Sequence, residues 1–394
     1  MKTGSTISAT LFIAGCCIGA GMLGLPVVSA QAGLIPTTLA MIITYFFATT
    51  TGLLLVEATL WFENKVHLIS LCKFALGKIG KWIAWTFFLF LFYCLFVAYI
   101  EGGGQLFTNL LSALFSQTFP REVGIFVCVL LVGSIVYMGT RPVGYLSRIF
   151  LIALSISYSA LMMFGIPHIE ATQLLHTNWK AALATIPILF ICFGYQNLVP
   201  TIIYYVSKNV RSIRRAIYIG TLIPFVIYSL WNFVILGILP DMDVTKIVNQ
   251  GDMVTGLLQK ASESQSVLFF ANAFSFFAIL TPFMASALAF VDFFKDGLKK
   301  VPLFQYDPFV FAAVLIPPTL FTLFKPNLFL SALGFAGGFI DAVLFGILPV
   351  LIVWVGRYVK KMEGPYQVAG GKPTLMIVFL FSFAVLVYRL SGMI

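Results

Sequence analysis

Apolar runs long enough to cross a bilayer, about 20 residues each, recur along the whole chain with short polar stretches between them. They fall near residues 7–28, 36–60, 82–108, 122–140, 147–166, 183–206, 216–239, 266–294, 308–324, 328–354 and 374–390. This pattern predicts an all-α polytopic membrane protein with eleven transmembrane helices. No stretch between the runs is long enough to build a soluble domain with its own core, so residues 1–394 read as one membrane domain. The first run follows only Lys2 and lacks a short apolar core ending in a small-residue cleavage site, so this helix is expected to be retained.

Two of the runs are interrupted. The first contains Ile18-Gly-Ala-Gly-Met-Leu-Gly-Leu-Pro26, and the sixth reads Ile186-Pro-Ile-Leu-Phe-Ile-Cys-Phe-Gly-Tyr-Gln-Asn-Leu-Val-Pro200. Non-helical backbone at membrane depth is tolerated only where protein or a water-filled cavity satisfies the freed N–H and C=O groups. A break therefore marks a site. Gly19 to Gly24 also matches the GxGxxG dinucleotide fingerprint, but the strand, the amphipathic helix and the acid about 20 residues on are missing. Gly15 and Gly19 also form a GxxxG match, the pattern of simple helix packing.

The two breaks lie five helices apart, and an odd number of crossings per repeat turns the second half upside down relative to the first. Paired interruptions at corresponding positions point to the substrate site of an inverted-repeat transporter. The repeats are expected over about residues 5–166 and 183–354, with an extra helix at 374–390. Around Gly19, the N–H groups of Ala20, Gly21 and Met22 would sit at a positive helix end suited to a carboxylate. Carbonyls near Cys192 and Phe193, before Gly194, would suit an ammonium group or a cation, so a zwitterionic amino acid matches both. Tyr195, Gln196 and Asn197 add hydrogen-bonding groups that either face a cavity or join packed helices. Tyr99, Phe193, Tyr195 and Phe276 are the aromatic candidates for substrate contact.

With 60% hydrophobic and 10% charged residues, the chain lies outside the soluble range. Its formal charge of +10 does not indicate nucleic acid, because the basic residues are spread over short loops. With the N-terminus in the cytoplasm, 18 of the 24 Lys and Arg residues fall on the cytoplasmic side, which places the C-terminus outside. Six cysteines without a CxxC pair, and His67, His168 and His176 without clustered acids, give no metal or cofactor site.

Among the acids, Glu101 in Tyr99-Ile-Glu-Gly-Gly-Gly-Gln105 is the most conspicuous within an apolar run. A carboxylate there is costly unless paired, solvated or protonated, which makes it the leading candidate for coupling to a proton. Asp341 is a second candidate. Glu57 and Asp292 fall nearer the cytoplasmic interface, where snorkelling or loop pairing is expected. Ser275, Thr281 and Ser286 supply hydroxyls for a cation or for helix packing.

Five ordered motifs cover nearly the whole chain: the two interrupted segments, the Tyr99–Gln105 stretch, Ala332-Leu-Gly-Phe-Ala-Gly337 and Tyr366-Gln-Val-Ala-Gly-Gly-Lys-Pro373. Together they resemble the hydroxy and aromatic amino acid permeases of the amino acid, polyamine and organocation superfamily, above all the tyrosine-specific members. The resemblance implies a leucine-transporter-type fold of five plus five helices and one more. It also implies proton-coupled uptake of an aromatic amino acid, most of all tyrosine, across a bacterial inner membrane. Tryptophan or serine/threonine transport, and sodium coupling, stay open; a channel or a membrane-embedded enzyme fits less well, as neither a continuous polar pore nor a catalytic constellation is present. Two departures stand out. The acid at Glu101 occupies the place of a small residue, with Gln105 where the acid is expected, and Leu154 stands where a lysine is frequent in the fifth helix.

Overall fold

The computed structural model describes residues 5–239, 253–255, 258, 264–297 and 307–392, and all regular structure among them is helical. The first half comprises α1 (Thr6–Cys17), α2 (Gly21–Ala32), α3 (Leu34–Leu60), α4 (Leu68–Phe115), α5 (Arg121–Tyr137) and α6 (Thr140–Gly165). The second comprises α7 (Trp179–Cys192), α8 (Val199–Tyr205), α9 (Val210–Ile238), α10 (Gln265–Gly297), α11 (Asp307–Phe324), α12 (Phe329–Phe335), α13 (Leu348–Trp354) and α14 (Gly371–Leu390). A π-helical segment, Ala336–Ile347, joins α12 to α13.

Among the described residues, nine helical stretches are long and apolar enough to span a bilayer, and α1 with α2, bent by 57°, make a tenth. The 17-residue α5, on the expected fourth segment, is shorter than these. The helical part of the third segment starts earlier than hydropathy alone suggested. Non-helical backbone at Gly77 separates a short amphipathic start, where Lys73 lies, from the membrane-crossing part of α4. Of the charges used for orientation, Lys2, Lys246, Lys260, Lys299 and Lys300 lie outside the described residues.

Local sequence explains the two broken spans. Around Gly19 and Gly21 the chain carries little side-chain bulk to hold a helix, and α1 ends at Cys17 with Ile18 extended. In the sixth span, α7 ends at Cys192, a 3₁₀ turn covers Gln196–Leu198, and Pro200 sits in the first turn of α8, where its missing N–H costs nothing. The breaks meet inside the bundle, since α2 packs on α7, α1 on α9, and the π segment on α7, α4 and α14. At Gly337 the π segment comes so close that a Cβ would lie 1.7 Å from the Pro187 carbonyl oxygen, which only glycine permits.

Two buried acids fasten the bundle near its ends. Glu57, at the end of α3, makes a two-pronged pair with Arg357 beyond α13, and accepts the Val368 N–H at 2.7 Å. This is the loop-pairing role expected of it, whereas Asp292 is exposed. Glu101, the leading coupling candidate from the sequence, is held in an ion pair. Arg121, opening α5, grips it through Nε (3.2 Å) and Nη2 (2.5 Å). The Asn327 N–H adds a bond at 3.2 Å, and Arg121 Nη2 also donates to the Thr322 carbonyl at 2.7 Å. The pair joins the α4–α5 corner to the α11–α12 corner.

Candidate functional site

The break in the first span leaves backbone donors free. Met22 N–H bonds to the Gly19 carbonyl and Leu23 N–H to that of Ala20, both at 3.0 Å. Among the described residues no carbonyl accepts from the N–H of Gly19, Ala20 or Gly21. The free set therefore lies one residue before the expected Ala20–Met22 trio, because Met22 is already held within the first turn of α2. These donors sit at the positive end of α2, a natural place for an anionic group.

The carbonyls at the C-terminal ends of α1 and α7 have a partner that the sequence did not single out. Tyr228 on α9 donates its hydroxyl to the Cys17 carbonyl (2.5 Å) and also approaches that of Cys192 (3.3 Å), bridging the ends of α1 and α7. One turn on, Trp231 Nε1 donates to the Met22 carbonyl at 2.8 Å. Both aromatic residues lie on one face of α9, at i and i+3. In an aromatic-rich membrane chain such residues read as interface anchors, and nothing in their spacing marks them otherwise.

A cavity of about 380 Å³ opens between the breaks, within the range of small-molecule sites. Of the residues expected there, Gly19, Ala20, Gly21, Tyr99, Gly194, Asn197, Thr281 and Asp341 line it. Aromatic and aliphatic walls come from Phe88, Phe92, Leu95, Phe277 and Phe345, and polar atoms also from Ser147 and Ser286. Gly21 closes one wall, where a Cβ would stand 2.9 Å from Cys192 Sγ. On the far side of the second break, a Cβ on Gly194 would stand 3.6 Å from Asp341 Oδ2, and Cys16 Sγ donates to the Gly194 carbonyl at 3.7 Å.

Other expected contacts turn elsewhere. Met22, Cys192 and Phe193 are buried in the packing around the breaks, outside the cavity lining. Tyr195 reaches α3, donating to the Ala48 carbonyl at 3.0 Å, and Gln196 Nε2 donates to Thr51 Oγ1 at 3.2 Å. Phe276 packs on Phe107 and Phe150, leaving the neighbouring Phe277 to face the cavity. Ser275 is buried with an unpartnered hydroxyl, also outside the lining, and Glu101 is held in its ion pair. In contrast, Ser147 Oγ, Thr281 Oγ1 and Asp341 Oδ1 belong to residues lining the cavity and have no hydrogen-bond partner. Buried polar atoms are normally satisfied, so unpaired ones around a cavity are candidate ligand contacts. Among the described residues no cluster of His, Cys, Asp and Glu is fit to hold a metal ion.

The cavity thus offers free N–H donors at a helix start, aromatic walls and a few unpaired polar groups. The chain is 30% identical to tyrosine-specific transport system 1 of Haemophilus influenzae, over 95% of this chain and 94% of the relative. It is 29% identical to tyrosine-specific transport system 2 of the same organism, over 98% and 96%. To that organism's tryptophan-specific transport protein it is 28% identical, over 99% and 97%. The model of the tryptophan/tyrosine permease family matches residues 2–389. The chain belongs to the tryptophan/tyrosine permease family, a family of multi-pass amino acid transport proteins of the inner membrane and not of enzymes.

Proposed function

We propose that this protein is a secondary active symporter that imports tyrosine, driven by protons, with tryptophan as the second substrate to test. The observation that carries the reading is the set of free N–H groups at Gly19, Ala20 and Gly21, facing a cavity walled by Tyr99 and Phe277. The substrate carboxylate takes those donors, and its ring lies among the aromatic side chains. The tryptophan reading draws on the tryptophan-specific relative, which matches almost as well as the tyrosine-specific ones.

The architecture in this reading is eleven spans, two inverted repeats of five and a final helix formed by α14. Each expected apolar segment has a helix on it, and the breaks at α1–α2 and α7–α8 fall in the first and the sixth of those segments. The cavity runs along α4 from Tyr99 to Phe88, along α6 from Leu154 to Ser147 and along α10 from Phe277 to Ala289. In each helix that direction leads to the end bearing basic residues: Lys78 and Lys81, Arg141 and Arg148, and Lys295. With those ends in the cytoplasm, the site faces inward, and the Glu101–Arg121 pair lies on the sealed outer side.

Radiolabelled tyrosine uptake into proteoliposomes tests the function, comparing an inward proton gradient, an inward sodium gradient and neither. Accumulation under the proton gradient alone is the expected result. Sodium-driven accumulation would replace the driving ion and direct attention to Thr281. Absence of tyrosine uptake with tryptophan uptake intact would replace the substrate.

A further inference from the structure

We propose that Asp341 carries the coupling proton of this transporter; the inference rests on the proton-driven reading above. Three acids are buried among the described residues: Glu57, Glu101 and Asp341, at 1%, 7% and 2% exposure. The first two are gripped by arginines and backbone N–H groups. Asp341 has neither, and its Oδ1 is enclosed without a hydrogen bond. An ionised carboxylate buried in that way is costly unless a cation or proton neutralises it, so such a residue inside a membrane protein marks an ion path.

Position adds to chemistry. Asp341 lines the cavity beside Gly194, at the break of the sixth span, so its charge state bears on the helix that must rearrange when the cavity changes access. It stands on a π-helical segment, a rare backbone form that concentrates at functional sites. Cys16, Cys17 and Tyr99 line the same cavity, and the helices packed on the π segment also carry Glu57 (α3), Tyr93, Cys94 and Glu101 (α4), Cys192 (α7), and Lys372, Tyr388 and Arg389 (α14). The Arg389 guanidinium runs back along the segment to Gly334 and the Ser331 carbonyl, away from the carboxyl. A proton suits this place better than a metal ion, which demands several oxygen ligands. Among the described residues no group of three or more His, Cys, Asp and Glu is fit to hold a metal ion, and the Gly194 carbonyl is already approached by Cys16. The step moves one proton: the carboxylate takes it from the outer solution and releases it to the cytoplasm, with no other bond made or broken.

Purified protein in proteoliposomes tests this with Asp341→Asn and Asp341→Glu. Asp341→Asn is expected to keep tyrosine exchange, slowed, while accumulation under an inward proton gradient falls to unity and tyrosine-dependent acidification of the lumen disappears. Asp341→Glu keeps both and shifts their pH profile. Full proton-driven accumulation by Asp341→Asn would overturn the proposal. A second readout does not depend on tyrosine: infrared pH titration of the protonated-carboxyl stretch. A band present in the wild type and missing in Asp341→Asn supports the assignment even where another amino acid proves to be the substrate. An unchanged band overturns it. Failure of wild-type tyrosine uptake alone contradicts the substrate reading instead.

Discussion

The ends of the bundle and its centre treat buried acids in opposite ways. Near the ends, Glu57 and Glu101 each face a two-pronged arginine and a backbone N–H, so charge is fully matched and the neighbouring corners are fixed. At the centre, Asp341, with Oδ1 unpaired, lines the same cavity as residues whose backbone N–H groups are unpaired as well. Satisfied pairs hold one geometry, whereas unsatisfied groups around a cavity are what a ligand or a proton completes. In the proposed reading the contrast separates residues that hold the fold from residues that do the transport, and it can be broken at several points.

The largest effect is expected from Arg357→Leu. The pair's side chains are 5% and 1% exposed, and leaving Glu57 buried without its cation should cost about 3–5 kcal/mol. Thermal unfolding of the detergent-solubilised protein measures it, and an unchanged melting temperature would show that this end is not held by the pair. Next comes Gly21→Val, whose added Cβ meets Cys192 Sγ at 2.9 Å and whose branches crowd the carboxylate site. Normal membrane insertion with tyrosine uptake abolished is expected; retained uptake would remove the first break from the site.

A smaller loss follows for Glu101→Gln. Arg121 is 26% exposed, so solvent partly compensates the lost charge, and the fall in melting temperature should be well short of that for Arg357→Leu. Proton-driven accumulation ratios are expected to match the wild type, since Glu101 lies outside the cavity; a lost ratio would return it to the coupling role. The smallest contrast is between neighbours. Phe277→Ala, on the cavity wall, should raise the KM for tyrosine by about tenfold, in keeping with the loss of an aromatic contact worth about 1 kcal/mol and some burial. Phe276→Ala should leave it unchanged, and equal effects would mean that α10 presents a different face.

Much of this arrangement is legible in the sequence because glycine, proline and polar residues inside an apolar run betray a break whatever surrounds them. Gly19–Gly21 and Gly194–Pro200, with Asn197 between them, stand out that way, and Asp341 stands out as an acid within an apolar run. Rotation was not legible. Once α7 gives way to a 3₁₀ turn, the helical period no longer assigns faces, so Tyr195 and Gln196 turn to α3 while Gly194 and Asn197 face the cavity. Pairing was hidden too. Glu57 and Arg357 lie 300 residues apart, and the Tyr228 hydroxyl reaches Cys17 across 211. No local pattern encodes such contacts, which only the packing of distant helices creates.

The direct test of the central claim is calorimetric titration of the purified protein with tyrosine and with tyramine, which keeps the ring and the amine but lacks the carboxylate. If the free N–H groups at Gly19, Ala20 and Gly21 hold the carboxylate, tyrosine binds and tyramine gives no measurable heat. Equal affinity for the two would contradict the assignment of the first break as the carboxylate site.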